Sequence, residues 1–241
     1  MRAISLLAML VTGVVITKAS IAQLTGYTAP AGQTLPWGST VVVSLDETWK
    51  DVRRSAQPGS DTEPALAKFS NRASREGSVL YLRLEGDRVL KIFNEGVCDG
   101  FATCLHHYLR DRWPRLHYYV VEFTHGENGW AYLIRESDGL VIRVAHTPVL
   151  SPNSRYAIAS NPGIDGRTEL LDMRPDPPTI HPIDAPSSCP GQIGFITLGS
   201  NPVWIDNSRV MFDDAWVMFK NDTRKVRLTL QIVDGQPQWQ C

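Results

Sequence analysis

After its first two dozen residues, this 241-residue chain has no run long and apolar enough to span a bilayer as a helix. It has no Lys/Arg block or basic stripe either, and 24 basic residues meet 25 acidic ones. A chain without a basic footprint is a poor partner for nucleic acid. Also missing are a G-x-S-x-G elbow, H-E-x-x-H, a P-loop, G-x-G-x-x-G and an EF-hand loop. Their absence removes several large enzyme classes by signature. The aromatic-poor composition of disordered chains is not found here: 7 Trp, 7 Tyr and 7 Phe can build a core.

The N-terminus has the order of a secretory signal. Arg2 is followed by a charge-free run over residues 3–16, and Ser20-Ile21-Ala22 puts small residues at the −3 and −1 positions of a cleavage site. That run is shorter than the roughly 20 residues of a spanning helix. Residues 1–22 therefore read as a signal peptide, residues 23–37 as an N-terminal arm, and residues 38–241 as the folded domain. The expected location is periplasmic or secreted. Cysteine is scarce: Cys98, Cys104, Cys189 and Cys241 are all there are. An even count in an exported chain favours disulfides, whereas zinc motifs bring cysteines within two to four residues of each other. The expected pairs are Cys98 with Cys104 and Cys189 with Cys241. The first pair needs a chain that folds back at Asp99-Gly100, because a regular helix would hold the two cysteines about 9 Å apart.

Strand signals dominate the remainder. "SVLYLRLEGDRVLKIF" alternates Leu80, Leu82 and Leu84 with Tyr81, Arg83 and Glu85 around a turn at Gly86-Asp87. "WAYLIRESDGLVIRV" turns at Asp138-Gly139, and "WVMFKNDTRKVRLTLQIV" turns near residues 221–224. Residues 61–77 suit one short helix, with Pro64 in its first turn and Gly77 at its end, or a loop. Residues 99–114 carry Phe101, Leu105, Tyr108 and Leu109 at helical spacing, which leaves helix and strand both open. Short strands with little clear helix argue for an all-β domain.

"PVLSPNSRYAI" from Pro148 and "PVWIDNSRVMF" from Pro202 lie 54 residues apart and share Pro, Val, Asn, Ser and Arg. A propeller blade recurs at nearly that period, which predicts a small β-propeller-like domain of about four to five antiparallel blades. Two coincidental turns in a sandwich are the other reading. The stretch "LHYYVVEFTHGENGWAYLIRESDGLVIRVAHTPVLSPNSRYAIAS" resembles a module of uncharacterised, secreted bacterial β-propeller-like proteins with WD40-like repeats. In that group a "YxVVE" strand leads to "YLLI", a "DG" or "TG" hairpin and "PxFSPDG", and "PVWIDNSRVMF" is similar to its "PxWxDxxxIxF" strand. The resemblance covers roughly residues 80–212. It implies a fold and no chemistry, and it tilts residues 99–114 away from helix. Where the group has Asp-Gly this chain has Asn153-Ser154, which should weaken the turn because Ser does not reach positive φ freely.

The chemical candidates are few. His106 and His107 are adjacent, so a strand points them to opposite faces and a helix sets them about 100° apart. Asp99, Asp111 and His117 could complete a metal site, but the spacing does not converge and a surface or structural role is expected. Asp213-Asp214 beside Trp216 could bind a cation or a sugar, and reads more simply as a turn between blades. Glu122, Glu127 and Glu136 could include an acid and a base, although nothing in the sequence sets their separation. Ser151, followed by Pro152, reads as a turn residue. Asn221-Asp222-Thr223 matches a glycosylation sequon, which the resemblance makes an ordinary hairpin turn. No catalytic residue, metal or cofactor is assigned. The expected role is a monomeric, non-catalytic binding or scaffold module with a protein or glycan ligand. The alternative is a hydrolase acting on envelope glycans or peptides.

Overall fold

The computed structural model describes residues 34–35, 38–44, 63–86, 88–94, 105–125, 128–161, 167–184, 192–198, 201–219 and 222–240. The proposed signal segment, all four cysteines with their expected pairings, Asp99, Glu127 and Asn221 lie outside these residues.

The described chain is all-β apart from one five-residue helix, and its strands form four antiparallel sheets. The first sheet holds β1 (Thr34–Leu35), β2 (Gly38–Ser44), β3 (Ala73–Glu76), β4 (Val79–Arg83) and β5 (Arg88–Phe93), in the order β1-β2-β5-β4-β3. The second is a meander of β6 (Leu105–Trp113), β7 (Tyr118–His125), β8 (Asn128–Arg135) and β9 (Val141–Val144). The third is a meander of β10 (Val149–Leu150), β11 (Tyr156–Ser160), β12 (Thr168–Asp172) and β13 (Thr179–Ile183). In the fourth, β14 (Gln192–Thr197) and β15 (Val203–Trp204) share one edge of β16 (Arg209–Phe219), followed by β17 (Asp222–Val233) and β18 (Gln236–Gln240).

The sheets stack in chain order through apolar cores. Leu80, Leu82 and Leu90 of the first sheet meet Tyr119, Val121, Phe123 and Tyr132 of the second. On its other face the second sheet turns Trp113, Tyr118, Val120 and Leu133 to Ala157, Ala159 and Leu171 of the third. Tyr156, Ile158 and Leu170 then meet Val210, Phe212, Val217 and Leu230 of the fourth. The second and third sheets are thus buried on both faces. That explains why "YYVV", "AYLI" and "YAIA" are continuous apolar runs instead of alternating ones. Small alanines of β11 lie opposite the large rings of the second sheet, which keeps the layers close-packed. Among the described residues, no fourth core joins the last sheet to the first.

Two open readings are decided. Of the short helix or loop expected over residues 61–77, the described part holds only α1 (Pro64–Lys68) as helix. Pro64 does open it, but residues 73–76 form β3, and Gly77 (φ 54°) turns β3 into β4 instead of ending a helix. Phe69 and Ala73 are buried as a helix would have buried them, yet they cover the first core from a turn and a strand. Within residues 99–114, the described part is strand β6 and not helix. A spacing of four, as between Leu105 and Leu109, suits both a helix turn and one face of a strand. A β-bulge between Leu109 and Asp111 then shifts the pattern, so that Leu109 faces the first sheet and Trp113 the third.

The two similar stretches form similar units. After Pro148, β10 pairs antiparallel with β11, and after Pro202, β15 pairs with the start of β16. The second turn is one residue tighter: Ser151 N–H donates to the Tyr156 carbonyl, and Ile205 N–H donates to the Arg209 carbonyl. In the first turn Asn153 Oδ1 accepts the Arg155 N–H at 3.0 Å. In the second, Asp206 Oδ1 accepts the N–H groups of Ser208 (2.8 Å) and Arg209 (2.9 Å). Both are side-chain-closed turns, with the closing residue moved by one place.

Candidate functional site

Two of the sequence candidates, His107 and Glu136, sit between the first and second sheets. His107 lies on β6 with only 1% of its surface exposed, its ring 5.0 Å from that of Phe123. Its N–H donates to Asn94 Oδ1 at 2.8 Å, and its carbonyl accepts Arg75 Nη2. Arg75 forks onto both carboxylate oxygens of Glu63, and Glu63 Oε1 also accepts the Leu109 N–H at 2.9 Å. Among the described residues, no partner reaches His107 Nδ1. Burial, then the Arg75 charge and His106, push the His107 pKa down to about 3, so the ring is neutral. Glu136, also 1% exposed, follows β8 and is gripped by two arginines. Arg112 reaches it through Nε at 2.7 Å and Nη2 at 3.0 Å, and Arg72 Nη2 binds the same carboxylate. Tyr119 Oη donates to the Arg72 and Arg83 carbonyls beside it. Both carboxylates here are held by arginine, and the ion pairs link the two sheets.

The other candidates disperse. His106 is half-buried and stacks 6.0 Å from Tyr108, pointing away from His107 as strand alternation requires. Asp111 accepts Lys68 Nζ at 3.2 Å, and His117 Nδ1 lies 3.3 Å from Glu85. Among the described residues, no three His, Cys, Asp or Glu side chains group as metal ligands. Glu122 takes Arg110 Nε and Nη2 at 2.9 Å each and Thr147 Oγ1 at 2.8 Å. Burial raises its carboxyl pKa, but the Arg110 and Thr147 bonds outweigh burial and hold it below the usual range. Ser151 closes its turn, accepting the Tyr156 N–H at 3.0 Å and donating to Asn153 Oδ1.

Asp213 and Asp214 do not form a turn between sheets. They lie inside β16, where a bulge between Phe212 and Ala215 sets an extra residue against β17. The bulge reverses the strand's alternation. Val210 and Phe212 face the third sheet, and without the extra residue Trp216 and Met218 would follow them inward. Instead Ala215 and Val217 take the inward places, and Trp216 (43% exposed) and Met218 (40%) emerge on the outer face. Val203 and Ile205 add to the exposed apolar surface of this sheet. On this face Lys225 pairs across the strands with Trp216 and Arg227 Nε binds Asp213, while Arg224, opposite inward-facing Val217, lies 4.4 Å from the centre of the Phe219 ring. A large aromatic ring and a thioether beside cationic side chains make a surface suited to binding.

Sequence reading missed the buried carboxylates Glu63 and Glu169. Glu169 is 2% exposed, and burial raises its pKa against the Ala145 N–H and Arg167, which hold it. The available signal was Glu169 directly before Leu170 and Leu171 in the strand-like run "TELLD". No family model, curated protein or solved structure matches the chain.

Proposed function

We propose that this chain is an exported, non-catalytic binding or scaffold module of a bacterial envelope, built as a small β-propeller-like repeat array whose ligand is a protein or a glycan. The observation that carries this reading is the outer face of the fourth sheet. A bulge turns Trp216 and Met218 outward there, at a cost of roughly 1.5–3 kcal/mol of burial for each side chain. Exposed apolar side chains in one place are characteristic of interaction surfaces. The stacking of sheets in chain order and the two Pro-strand-turn-strand units support the repeat. The interior carboxylates Glu63, Glu136 and Glu169 are each held by arginine, which favours binding over the hydrolase alternative. The test is capture from envelope extract by residues 23–241, compared with a Trp216→Ala/Met218→Ala variant. A partner held by the unaltered protein and reduced at least tenfold with the variant is expected. Equal capture by both, or hydrolysis of peptidoglycan or envelope peptides by the purified protein, overturns the reading.

A further inference from the structure

The outer face of the fourth sheet changes character across its width. Leu228, Leu230 and Ile232 of β17 and Trp239 of β18 turn towards the third sheet. Strand alternation therefore points Thr229 and Gln231 of β17, and Gln236, Gln238 and Gln240 of β18, outward. Pairing sets Gln238 beside Gln231 and Gln240 beside Thr229. Across β17, Thr229 stands beside Met211, and Lys225 beside Trp216. One face thus runs from the exposed Trp216 side chain to a patch of amides and hydroxyls.

The cations of this face are engaged within the protein. Arg209 binds Asp206, and Arg227 binds Asp213. Lys225 has an interaction of its own. Charged residues make up 20% of the chain, yet residues 229–240 hold only Asp234, in the turn between β17 and β18. Gln240 Nε2 donates to Gln231 Oε1. A side-chain amide has two N–H donors and an oxygen with two lone pairs, so this bond leaves donors and acceptors on both residues.

These features select a ligand by chemistry. A charged ligand would have to compete with ion pairs already made, and a purely apolar one would cover the amides without bonding them. A sugar chain meets both halves of the face. Its rings carry C–H groups that pack on an aromatic side chain, and hydroxyls that both donate and accept.

We propose that the outer face of the fourth sheet binds a neutral, extended glycan, with Trp216 against one sugar ring and Gln231, Gln238 and Gln240 bonding hydroxyls further along. This rests on the binding-module reading and names its ligand. From Lys225, beside Trp216, to Gln231 the strand covers about 20 Å, at about 3.3 Å per residue, which accommodates several sugar units in a row. An extended sheet face suits a β-1,4-linked chain, which is straight, better than an α-1,4-linked one, which coils.

The test is titration of the whole folded protein with four hexasaccharides. Cellohexaose and chitohexaose are neutral and extended, maltohexaose is neutral and coiled, and hexagalacturonate is acidic. Cellohexaose or chitohexaose is expected to bind at least tenfold more tightly than the other two. The bound probe should shift the indole N–H signal of Trp216 and the side-chain amide signals of Gln238 and Gln240 in NMR spectra. Trp216→Ala, and separately Gln231→Ala with Gln238→Ala, are each expected to weaken that binding about tenfold. No preference for either extended probe, unmoved Trp216 and glutamine signals, or unchanged binding by either variant overturns the proposal. The signals of the unaltered protein decide the matter if a variant does not fold. An envelope protein captured through Trp216, with neither extended probe bound, would remove the glycan and leave the binding module standing.

Discussion

A neutral histidine walled in beside an arginine makes stability depend on pH. In the unfolded chain His107 titrates near 6.5, and in the fold near 3, because burial first and then Arg75 and His106 oppose its charge. The contribution is complete above pH about 6.5 and is lost as the pH falls towards 3. The slope is up to about 1.4 kcal/mol per pH unit. Urea unfolding from pH 6.5 to 5 should show His107→Phe losing less stability than the unaltered protein, by about 1–2 kcal/mol. Equal losses would remove His107 from the account. Glu136 gives a larger effect at one pH. Glu136→Gln leaves Arg72 and Arg112 half-buried without their counter-charge, and should cost about 3–5 kcal/mol in the same measurement. Neither environment was readable in advance. The spacing of the histidine pair indicates a surface or structural role without saying which, and nothing in the sequence sets what lies near Glu136. Packing against the first sheet supplies the desolvation together with Arg72 and Arg75, and Arg112 comes from β6, two strands away in the same sheet as Glu136.

Turns and strand irregularities explain where sequence patterns succeeded and where they failed. Hairpins with Gly at a turn were legible because a positive φ demands it, as at Gly86 (66°) and Gly139 (80°). Gly139 has a second constraint, since an added Cβ would sit 3.1 Å from Leu84 Cδ1 of the first sheet. Gly139→Ala should therefore destabilise by about 1–3 kcal/mol, seen as a lower urea midpoint. Ser154 shows the opposite case. It sits at φ 61° without glycine's freedom, as the departure from Asp-Gly implied. Ser154→Gly should stabilise by about 0.5–1 kcal/mol; a loss would mean that the Ser side chain contributes more than its backbone costs. Bulges were not legible. The extra residues in β6 and β16 each break a period of two: one sends Leu109 and Trp113 to opposite faces of β6, and the other hid the outward turn of Trp216.

At the scale of the whole molecule, the layers differ in cover. Among the described residues, the second and third sheets are covered on both faces, whereas the fourth exposes Trp216 and Met218 on its outer side. Amide exchange should accordingly be slowest in β7, β8, β11 and β12 and faster in β16 and β17. Uniform protection would mean that the stack opens as one unit. The all-β class and most strands were legible because short β-branched and aromatic runs between turn residues have few other solutions. The order of stacking was not, since no local pattern records which face meets which neighbour.

The fourth sheet is fastened to the third at both sides. Trp204 Nε1 on β15 donates to the Val149 carbonyl at 2.8 Å, and Trp239 Nε1 on β18 donates to the Asp184 carbonyl just past β13, also at 2.8 Å. One such pin would allow the sheet to swing about it, and two on opposite margins do not. A load placed on the β16–β17 hairpin therefore meets two polar pins as well as the apolar core between the sheets, and passes into the layer beneath. Replacing either indole with Phe removes one pin and leaves the other pin and the shared core to hold the sheet.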